Sequence, residues 1–315
     1  MSEPRVYAVV VAWNRAEMLV DTLNALGAQT WPLSGLVVVD NASTDATPSI
    51  AAGHPAVTDV VTMTENMGGA GGFAAGIARA LHHGADIVWI MDDDTVPSPT
   101  ALEELMKARA AYPGQPAVLA CRADWIDGRE HPMNAPRTRY GLSKRFHAHA
   151  AAVGGRQIRT ASFVAIAIDA RAIKEEGLPN AAYFLWNDDF EYTARLLRRR
   201  IGLYIDAARV EHRTKVFGNS TADPGPRFYN EVRNKFWAFT RSPGLGPVDK
   251  LLFGSMTTLR WILMFARSND RAAAWKYFTD GVQAGCEAPP STSAVLADTP
   301  VGTEVAQIEK RAGRD

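Results

Sequence analysis

Ile87-Val88-Trp89-Ile90-Met91-Asp92-Asp93-Asp94-Thr95-Val96-Pro97 sets the reading of the whole chain. The apolar run suits a buried strand. Three consecutive carboxylates then end it, because a strand interior rejects that much unpaired negative charge. Side chains alternate across a strand, so Asp92 and Asp94 should share a face while Asp93 points away. Two oxygen ligands on one side fit Mg²⁺ or Mn²⁺. The plainer account is a solvated turn capping a helix at Ser98-Pro99, but a cap needs one carboxylate, not three.

Working upstream, Val6 to Ala12, Leu36 to Val39 and Val57 to Thr62 are short apolar runs, each followed by a helical segment. Asn14 to Glu17 has the form of a capping box ahead of Met18, Leu19, Leu23 and Leu26, with Gly27 as a stop. Asn66-Met67-Gly68-Gly69-Ala70-Gly71-Gly72 leads into a helix from Phe73 to His83. Four strand-helix alternations in roughly 110 residues predict an α/β fold, a parallel sheet with helices on both faces. Ligands of such sheets bind beyond the carboxyl ends of the strands. Trp13-Asn14, Asp40-Asn41, Asn66 and the aspartates all fall there.

Downstream, Val118 to Ala120 and Ile158 to Ile168 read as strands, separated by a long polar loop from Ala123 to Gly155. Leu203 to Asp206 and Arg209 to His212 read as two more. Between them, Asn187-Asp188-Asp189-Phe190-Glu191 opens a helix rich in Arg195, Arg198, Arg199 and Arg200, taken as a solvated face. A capping box explains Asp188 and Glu191 and leaves Asp189 over. Helices follow at Phe228 to Thr240, Val248 to Ala266 and Ala272 to Val282. Pro, Ser, Thr and Ala beyond Ala288 predict a disordered tail. The expected units are residues 1–122, 123–240, a helical 241–285 and the tail 286–315.

The bulk numbers exclude some functions. Lys plus Arg number 34, as do Asp plus Glu, so no whole-chain field favours nucleic acid. Cys121 and Cys286 match no metal or redox spacing and suit a reducing compartment. Met1 to Arg5 carries no signal-peptide pattern, and no apolar run reaches the roughly 18 residues of a membrane span. A cytoplasmic protein is expected. One rival function starts from Gly69-Ala70-Gly71-Gly72-Phe73-Ala74, which fits a dinucleotide fingerprint in its Ala-ending form. It follows the third strand, however, where the fingerprint normally follows the first.

Val9-Val10-Val11-Ala12-Trp13-Asn14-Arg15, Val39-Asp40-Asn41-Ala42-Ser43-Thr44-Asp45, Asn66-Met67-Gly68-Gly69, Met91-Asp92-Asp93-Asp94 and Tyr229-Asn230-Glu231-Val232-Arg233-Asn234 occur in that order. Together they resemble the inverting GT-A glycosyltransferases of family 2, in the branch of rhamnosyl- and galactofuranosyltransferases. Trp186-Asn187-Asp188-Asp189-Phe190-Glu191 with Glu211-His212 looks most like the enzymes of actinobacterial cell-wall galactan, part of arabinogalactan. Where those carry a Trp-Asp-Asp run, this chain has Asn187-Asp188-Asp189, with Trp186 one place earlier.

The resemblance implies a Rossmann-like, mostly parallel GT-A sheet plus a C-terminal helical region, and transfer of galactofuranose from UDP-galactofuranose. It implies Mn²⁺ or Mg²⁺ on Asp92, Asp94 and His212, and Asp189 as general base. Ala12, Asn14, Arg15, Asp40, Asn41, Asn66, Gly68, Asp92 and Asp93 would meet the UDP-sugar. Trp186, Asp188, Glu191, Arg233 and Asn234 would meet the acceptor, a polyprenyl-diphosphate-linked glycan. The enzyme would then sit peripherally on the inner face of the plasma membrane. A dTDP-rhamnose donor and a non-catalytic sugar-nucleotide-binding role are the alternatives.

The segment from Val248 to Ala266 is amphipathic in an unusual way. Val248, Leu251, Leu252, Leu259, Ile262, Leu263 and Ala266 form one stripe at 100° per residue, expected against the core. Phe253, Trp261, Met264 and Phe265 lie opposite among Lys250, Arg260 and Arg267, expected at a membrane surface, a subunit contact of a homo-oligomer or under the next helix.

Overall fold

The computed structural model describes residues 3–218 and 225–314. Met1, Ser2 and Asp315, the ends of the N-terminal stretch and tail read above, lie outside them. The N-terminal half alternates as expected: β1 (Val6–Ala12), α1 (Ala16–Gly27), β2 (Gly35–Asp40), α2 (Thr47–Gly53), β3 (Asp59–Thr62), α3 (Gly68–His82) and β4 (Ile87–Asp92). These strands pair in parallel in the order β3-β2-β1-β4. Burial on both faces explains their near-continuous apolar sequences. Val9 and Val11 face the α3 side, while Val6, Ala8 and Val10 face a second core with α1. Gly72 and Gly76 of α3 lie where a Cβ would overlap Val11 and Val9, so the helix can approach the sheet closely. Of the fingerprint glycines, Gly72 serves this packing, while a Cβ at Gly69 would meet nothing within 4 Å.

The chain continues through β5 (Thr95–Pro97), α4 (Ala101–Ala111), β6 (Val118–Asp124), β7 (Arg137–Thr138), α5 (Lys144–Ala152), β8 (Gly155–Thr160), β9 (Ile166–Asp169), α6 (Ala170–Glu176), α7 (Asp188–Leu196) and β10 (Gly202–His212). The sheet extends as β4-β9-β6-β10-β8-β7, and β5 pairs with β10. β9 runs antiparallel between β4 and β6, so the complete sheet is mixed and parallel only in part. The run Ile158 to Ile168, read as one strand, is divided between β8 and β9. The two short strands read at Leu203 and Arg209 are one, interrupted by a bulge between Ile205 and Arg209.

The last elements are α8 (Phe228–Thr240), α9 (Pro247–Arg267), α10 (Arg271–Cys286), α11 (Thr292–Val295) and α12 (Gly302–Arg311). The expected disordered tail is therefore ordered. Leu296, Val301, Val305 and Ile308 are buried in the α3-side core, and Thr292 Oγ1 donates to the Pro179 carbonyl at 2.9 Å. The composition of the Pro, Ser and Thr stretch hid four apolar residues at helix-compatible spacing. The faces of α9 are also the reverse of the expectation. Phe253 is buried, and Trp261 and Phe265 pack edge-on to Phe228 at 6.1 and 5.7 Å and against Phe278 of α10. Aromatic partners on α8 and α10 draw the aromatic side inward. Val248, Leu251, Leu252, Leu259, Ile262 and Leu263 are left exposed. Among the described residues, no helix is long and apolar enough to cross a membrane.

Candidate active site

Asp92 ends β4, and Asp93-Asp94 turn the chain into β5. β5 lies antiparallel to β10 with Thr95 opposite His212, which carries the imidazole to the aspartates. His212 Nε2 is 3.3 Å from Asp94 Oδ1. Ligand atoms of Asp92, Asp94 and His212 all lie within 4.8 Å of one another. Asp94 Oδ1 is buried with no hydrogen-bond partner among the described residues. Burial, with repulsion from Asp94 and Asp93, raises the Asp92 pKa well above the ordinary carboxylate range. Burial opposes ionisation of Asp94 as well, but His212 and Arg15 outweigh it and hold its pKa low. Such a cluster fits a divalent cation. The sequence reading missed a supporting residue, Asn134, whose Oδ1 lies 2.8 Å from His212 Nδ1. That contact favours the proton on Nδ1 and leaves Nε2 free for a metal.

Asp93 stands outside the triad, in the turn between β4 and β5. Its Oδ2 accepts the Trp13 N–H at 3.0 Å and its Oδ1 accepts from Arg15 at 3.2 Å. Burial pushes it up to about 6, against the pull of Arg15 and the Trp13 N–H. Arg15 also pairs with Asp94. Arg15 thus bridges the β1 exit to the acidic turn.

The other residues expected at the nucleotide divide into open and engaged groups. Asn14 is left-handed, with φ of 52°, and its Oδ1 accepts the Thr44 N–H at 2.7 Å. It does not cap α1, whose N-cap is Arg15, so that capping box is corrected. Asp40 is buried at the end of β2, its Oδ1 accepting the Ser43 N–H at 3.1 Å. Ala12 is buried and its carbonyl already accepts the Asn41 N–H at 2.9 Å. Asn41 spends its amide on Asn66 Oδ1, the Gly68 carbonyl and the Met67 N–H, at 2.9–3.1 Å. Gly68, with φ of +68°, sits where a Cβ would overlap the Phe184 carbonyl. Ala12, Asn41 and Gly68 shape the crevice from behind, because two chain segments must meet closely there.

Phe184, Trp186 and Asn187 all have φ between 60° and 68°, a conformation that costs non-glycine residues energy. Asn234 and Arg233, expected on the acceptor, hold this strained loop instead. Asn234 Nδ2 donates to the carbonyls of Tyr183, Leu185 and Trp186 at 2.9, 2.9 and 2.7 Å. Arg233 donates to those of Ala182 and Tyr183 at 3.0 Å each. Asn187, noted in the sequence only as a departure from the Trp-Asp-Asp run, is the N-cap of α7 and donates to Glu231 at 2.6 Å.

The capping box of α7 is likewise corrected. Asp188 and Asp189 are its first two residues, and Glu191 does not reach back to the cap. Glu191 is buried in an ion pair with Arg195 at 3.0 Å and accepts from Ser242 at 2.7 Å, so it is not available to an acceptor. Arg195, read as solvent-facing, is 2% exposed. Burial raises the Asp188 and Asp189 pKa values, and Asp188 also repels Asp92 electrostatically, which sets it on the metal side. Asp189 faces Lys235 and Arg137, whose charges offset part of its burial. One Asp189 oxygen accepts the Phe190 N–H at 2.6 Å; the other accepts no hydrogen bond among the described residues.

The site therefore pairs a cation-binding acidic triad at strand ends with a separate carboxylate on a helix N-terminus. The model of the family described as Glycosyl transferase family 2 matches residues 7–176, from β1 to the end of α6. The chain belongs to glycosyl transferase family 2. This glycosyltransferase is 30% identical over 292 residues to galactofuranosyltransferase GlfT1 of Mycobacterium tuberculosis (strain H37Rv), covering 86% of this chain and 92% of that one. Its fold is similar to S. aureus TarS 1–349 in complex with UDP-GlcNAc, with a TM-score of 0.62 at 16% identity, over 98% of this chain and 89% of that. It is also similar to GalNAc-T7 with UDP, GalNAc and Mn²⁺, with a TM-score of 0.56 at 14% identity, over 94% and 56%. These two likenesses are of the GT-A fold.

Proposed function

We propose that this glycosyltransferase moves galactofuranose, with inversion, from UDP-galactofuranose to a polyprenyl-diphosphate-linked saccharide of cell-wall galactan. The likeness to the mycobacterial galactofuranosyltransferase along most of both chains carries the choice of sugar. Asp92, Asp94 and His212 would hold Mn²⁺ or Mg²⁺, which supplies positive charge to the departing diphosphate. Asp40 and the Asn14–Arg15 turn meet the nucleotide at the ends of β2 and β1. Asp189 takes the proton of the acceptor hydroxyl at its free oxygen. The acceptor oxygen bonds to the anomeric carbon as the bond to UDP breaks. A single displacement needs no second nucleophilic carboxylate, and Glu191, locked to Arg195, is not one.

The exposed face of α9 supports a peripheral position on the inner membrane surface. Its aliphatic residues adjoin Lys250 and Arg267, Arg260 being held by Glu231, and the one carboxylate of α9, Asp249, is buried against Arg159 at 2.8 Å. Aliphatic and cationic groups without exposed acid suit an anionic lipid interface. Flotation with phosphatidylglycerol vesicles tests it: Leu251→Ser with Leu259→Ser should release the protein, and unchanged flotation refutes the assignment.

The decisive experiment incubates the pure protein with UDP-galactofuranose, Mn²⁺ and a synthetic lipid-diphosphate disaccharide, then weighs the product. A gain of one hexose is expected. Turnover with dTDP-rhamnose and none with UDP-galactofuranose overturns the choice of donor.

A further inference from the structure

We propose that Arg137 of β7 and Lys235 of α8 form a subsite beside Asp189 for a phosphate or diphosphate group carried by the acceptor. This deepens the acceptor reading above and rests on it for the acceptor's identity, but not for the anion chemistry.

Lys235 is buried, with Nζ 3.9 Å from the Phe190 ring centroid and 5.7 Å from that of Phe239. Arg137 Cζ lies 5.0 Å from the same Phe190 ring and 4.6 Å from Phe253. Two like charges therefore share one aromatic floor. Among the described residues, neither side chain has a carboxylate within 4.0 Å or a hydrogen-bond acceptor, although most other arginines of the fold have one or the other. Two carboxylates stand near without reaching them: Glu231 takes Arg260 and Asn187, and Asp189, which offsets part of both charges at longer range, keeps one oxygen for the acceptor hydroxyl.

Ring faces recover only part of the cost of desolvating a cation, and Glu231 and Asp189 offset more of it only at longer range, so direct anion contacts to both side chains remain unmade. Arg137 is half-buried rather than sealed, whereas Lys235 is 3% exposed. The donor diphosphate does not supply those contacts, because its charge belongs at the acidic triad and the cation that triad fits. A guanidinium fork and a mobile ammonium together suit phosphate oxygens. A neutral sugar hydroxyl needs neither. Phe253, under Arg137, belongs to α9, whose exposed neighbours Leu251 and Leu252 offer an apolar path for a chain attached to that anion.

Calorimetric titration of the full chain, saturated with UDP and Mg²⁺ to fill the donor site, tests this with octyl diphosphate against octanol. One-to-one binding of octyl diphosphate at least tenfold tighter than octanol is expected. Arg137→Met and Lys235→Met should each weaken it at least tenfold, and Arg137→Lys by no more than about threefold. UDP affinity should stay within twofold throughout. Absence of binding by the wild type, or unchanged affinity in the Met variants, overturns the subsite. Equal loss of UDP affinity reassigns the cations to the donor and overturns it too. Should Lys235→Met not fold, Arg137→Met against Arg137→Lys decides alone. Phosphatidylglycerol vesicles form a separate arm: displacement of octyl diphosphate by them, abolished by the same variants, assigns the subsite to a lipid headgroup and overturns the acceptor assignment. No sugar transfer enters these readouts, so failed turnover with UDP-galactofuranose would sink the functional reading and leave the subsite standing.

Discussion

Removing the Asn234 side chain should separate acceptor use from donor binding. Its amide donates to three carbonyls of the loop from Tyr183 to Trp186 and is fully buried. An amide has two N–H groups, so Asn234→Ala deletes the equivalent of two hydrogen bonds and strands buried acceptors at about 1–3 kcal/mol each. A loss of about 2–4 kcal/mol follows, since Arg233 still holds the Tyr183 and Ala182 carbonyls. The positive φ of Phe184, Trp186 and Asn187 stores strain of the same size, about 1–3 kcal/mol per residue. Without its clamp the loop relaxes, and Asp188 and Asp189, which follow directly, lose their placement. Initial rates should show kcat/KM for the acceptor falling by roughly 30- to 1,000-fold, the equivalent of that energy. UDP affinity, assigned under the proposed function to the ends of β1, β2 and β4, should stay within twofold. Asn234→Asp, which turns an oxygen toward three carbonyls, should be worse. Transfer at the wild-type rate, or UDP affinity falling in step with transfer, would refute the positioning role.

Asp189→Asn should lower transfer by at least about 10²–10⁴-fold, the usual worth of a general base, with Mn²⁺ and UDP binding preserved in titration. Asn134→Ala frees the His212 ring and should weaken Mn²⁺ binding about 10- to 100-fold by electron paramagnetic titration, with Tm nearly unchanged. Burial, opposed by Glu231 and Asp189 and aided by Arg137 and Arg260, lowers the Lys235 pKa from 10.5 to about 8. Octyl diphosphate affinity should therefore fall as pH rises through about 8. Folding stability should rise between about 8 and 10.5, because there the unfolded chain holds a proton the folded one has released. Ending the chain at Ala288 should lower Tm by more than 10 °C or abolish soluble expression. Burial of Leu296, Val301, Val305 and Ile308 is worth at most roughly 6–12 kcal/mol, near the whole stability of a domain.

The parallel half of the fold was legible because burial on both faces writes long apolar runs, as in β1 and β4, and polar residues mark where each run ends. Asp92, Asp94 and His212 were legible for the same reason: Asp92 and His212 each end a strand, and Asp94 lies in the turn that follows Asp92. What the sequence could not show was commitment. Glu191 and Asp189 look alike in the string, yet Arg195 takes one and leaves the other open. Asn234 and Arg233 look like ligand-binding groups and serve backbone carbonyls, because polar side chains satisfy a strained loop as readily as a substrate. Both capping boxes failed where other partners, Thr44 across the fold for Asn14 and Arg195 one turn along the same helix with Ser242 for Glu191, outcompeted the capping bond. The faces of α9 inverted because amphipathicity ranks two sides of a helix but does not say which neighbours will bring aromatics.

The corrected arrangement makes the cleft electrically two-sided. The half built on β1, β2 and β4 carries Asp92, Asp93, Asp94 and, from α7, Asp188, against Arg15 and His212. Burial and mutual repulsion keep protons on Asp92 and Asp188, and a dication would displace them, so donor binding there is expected to depend on metal binding. The half built on β7, α8 and α9 carries Arg137, Lys235 and Arg260 against Asp189 and Glu231, and needs no metal to attract an anion. Asp189 lies at the boundary, where Lys235 and Arg137 lower its proton affinity and burial raises it. An anionic group arriving on the acceptor would neutralise those cations and leave burial to dominate. Asp189 would then become a stronger base only once the acceptor is seated, which ties proton removal to acceptor binding. A pH profile reports this coupling: the acidic limb of kcat/KM with a phosphate-free acceptor reflects Asp189 beside unneutralised cations. The limb of kcat with the diphosphate-linked acceptor should lie higher. Coincident limbs would show that the anion does not reach Arg137 and Lys235.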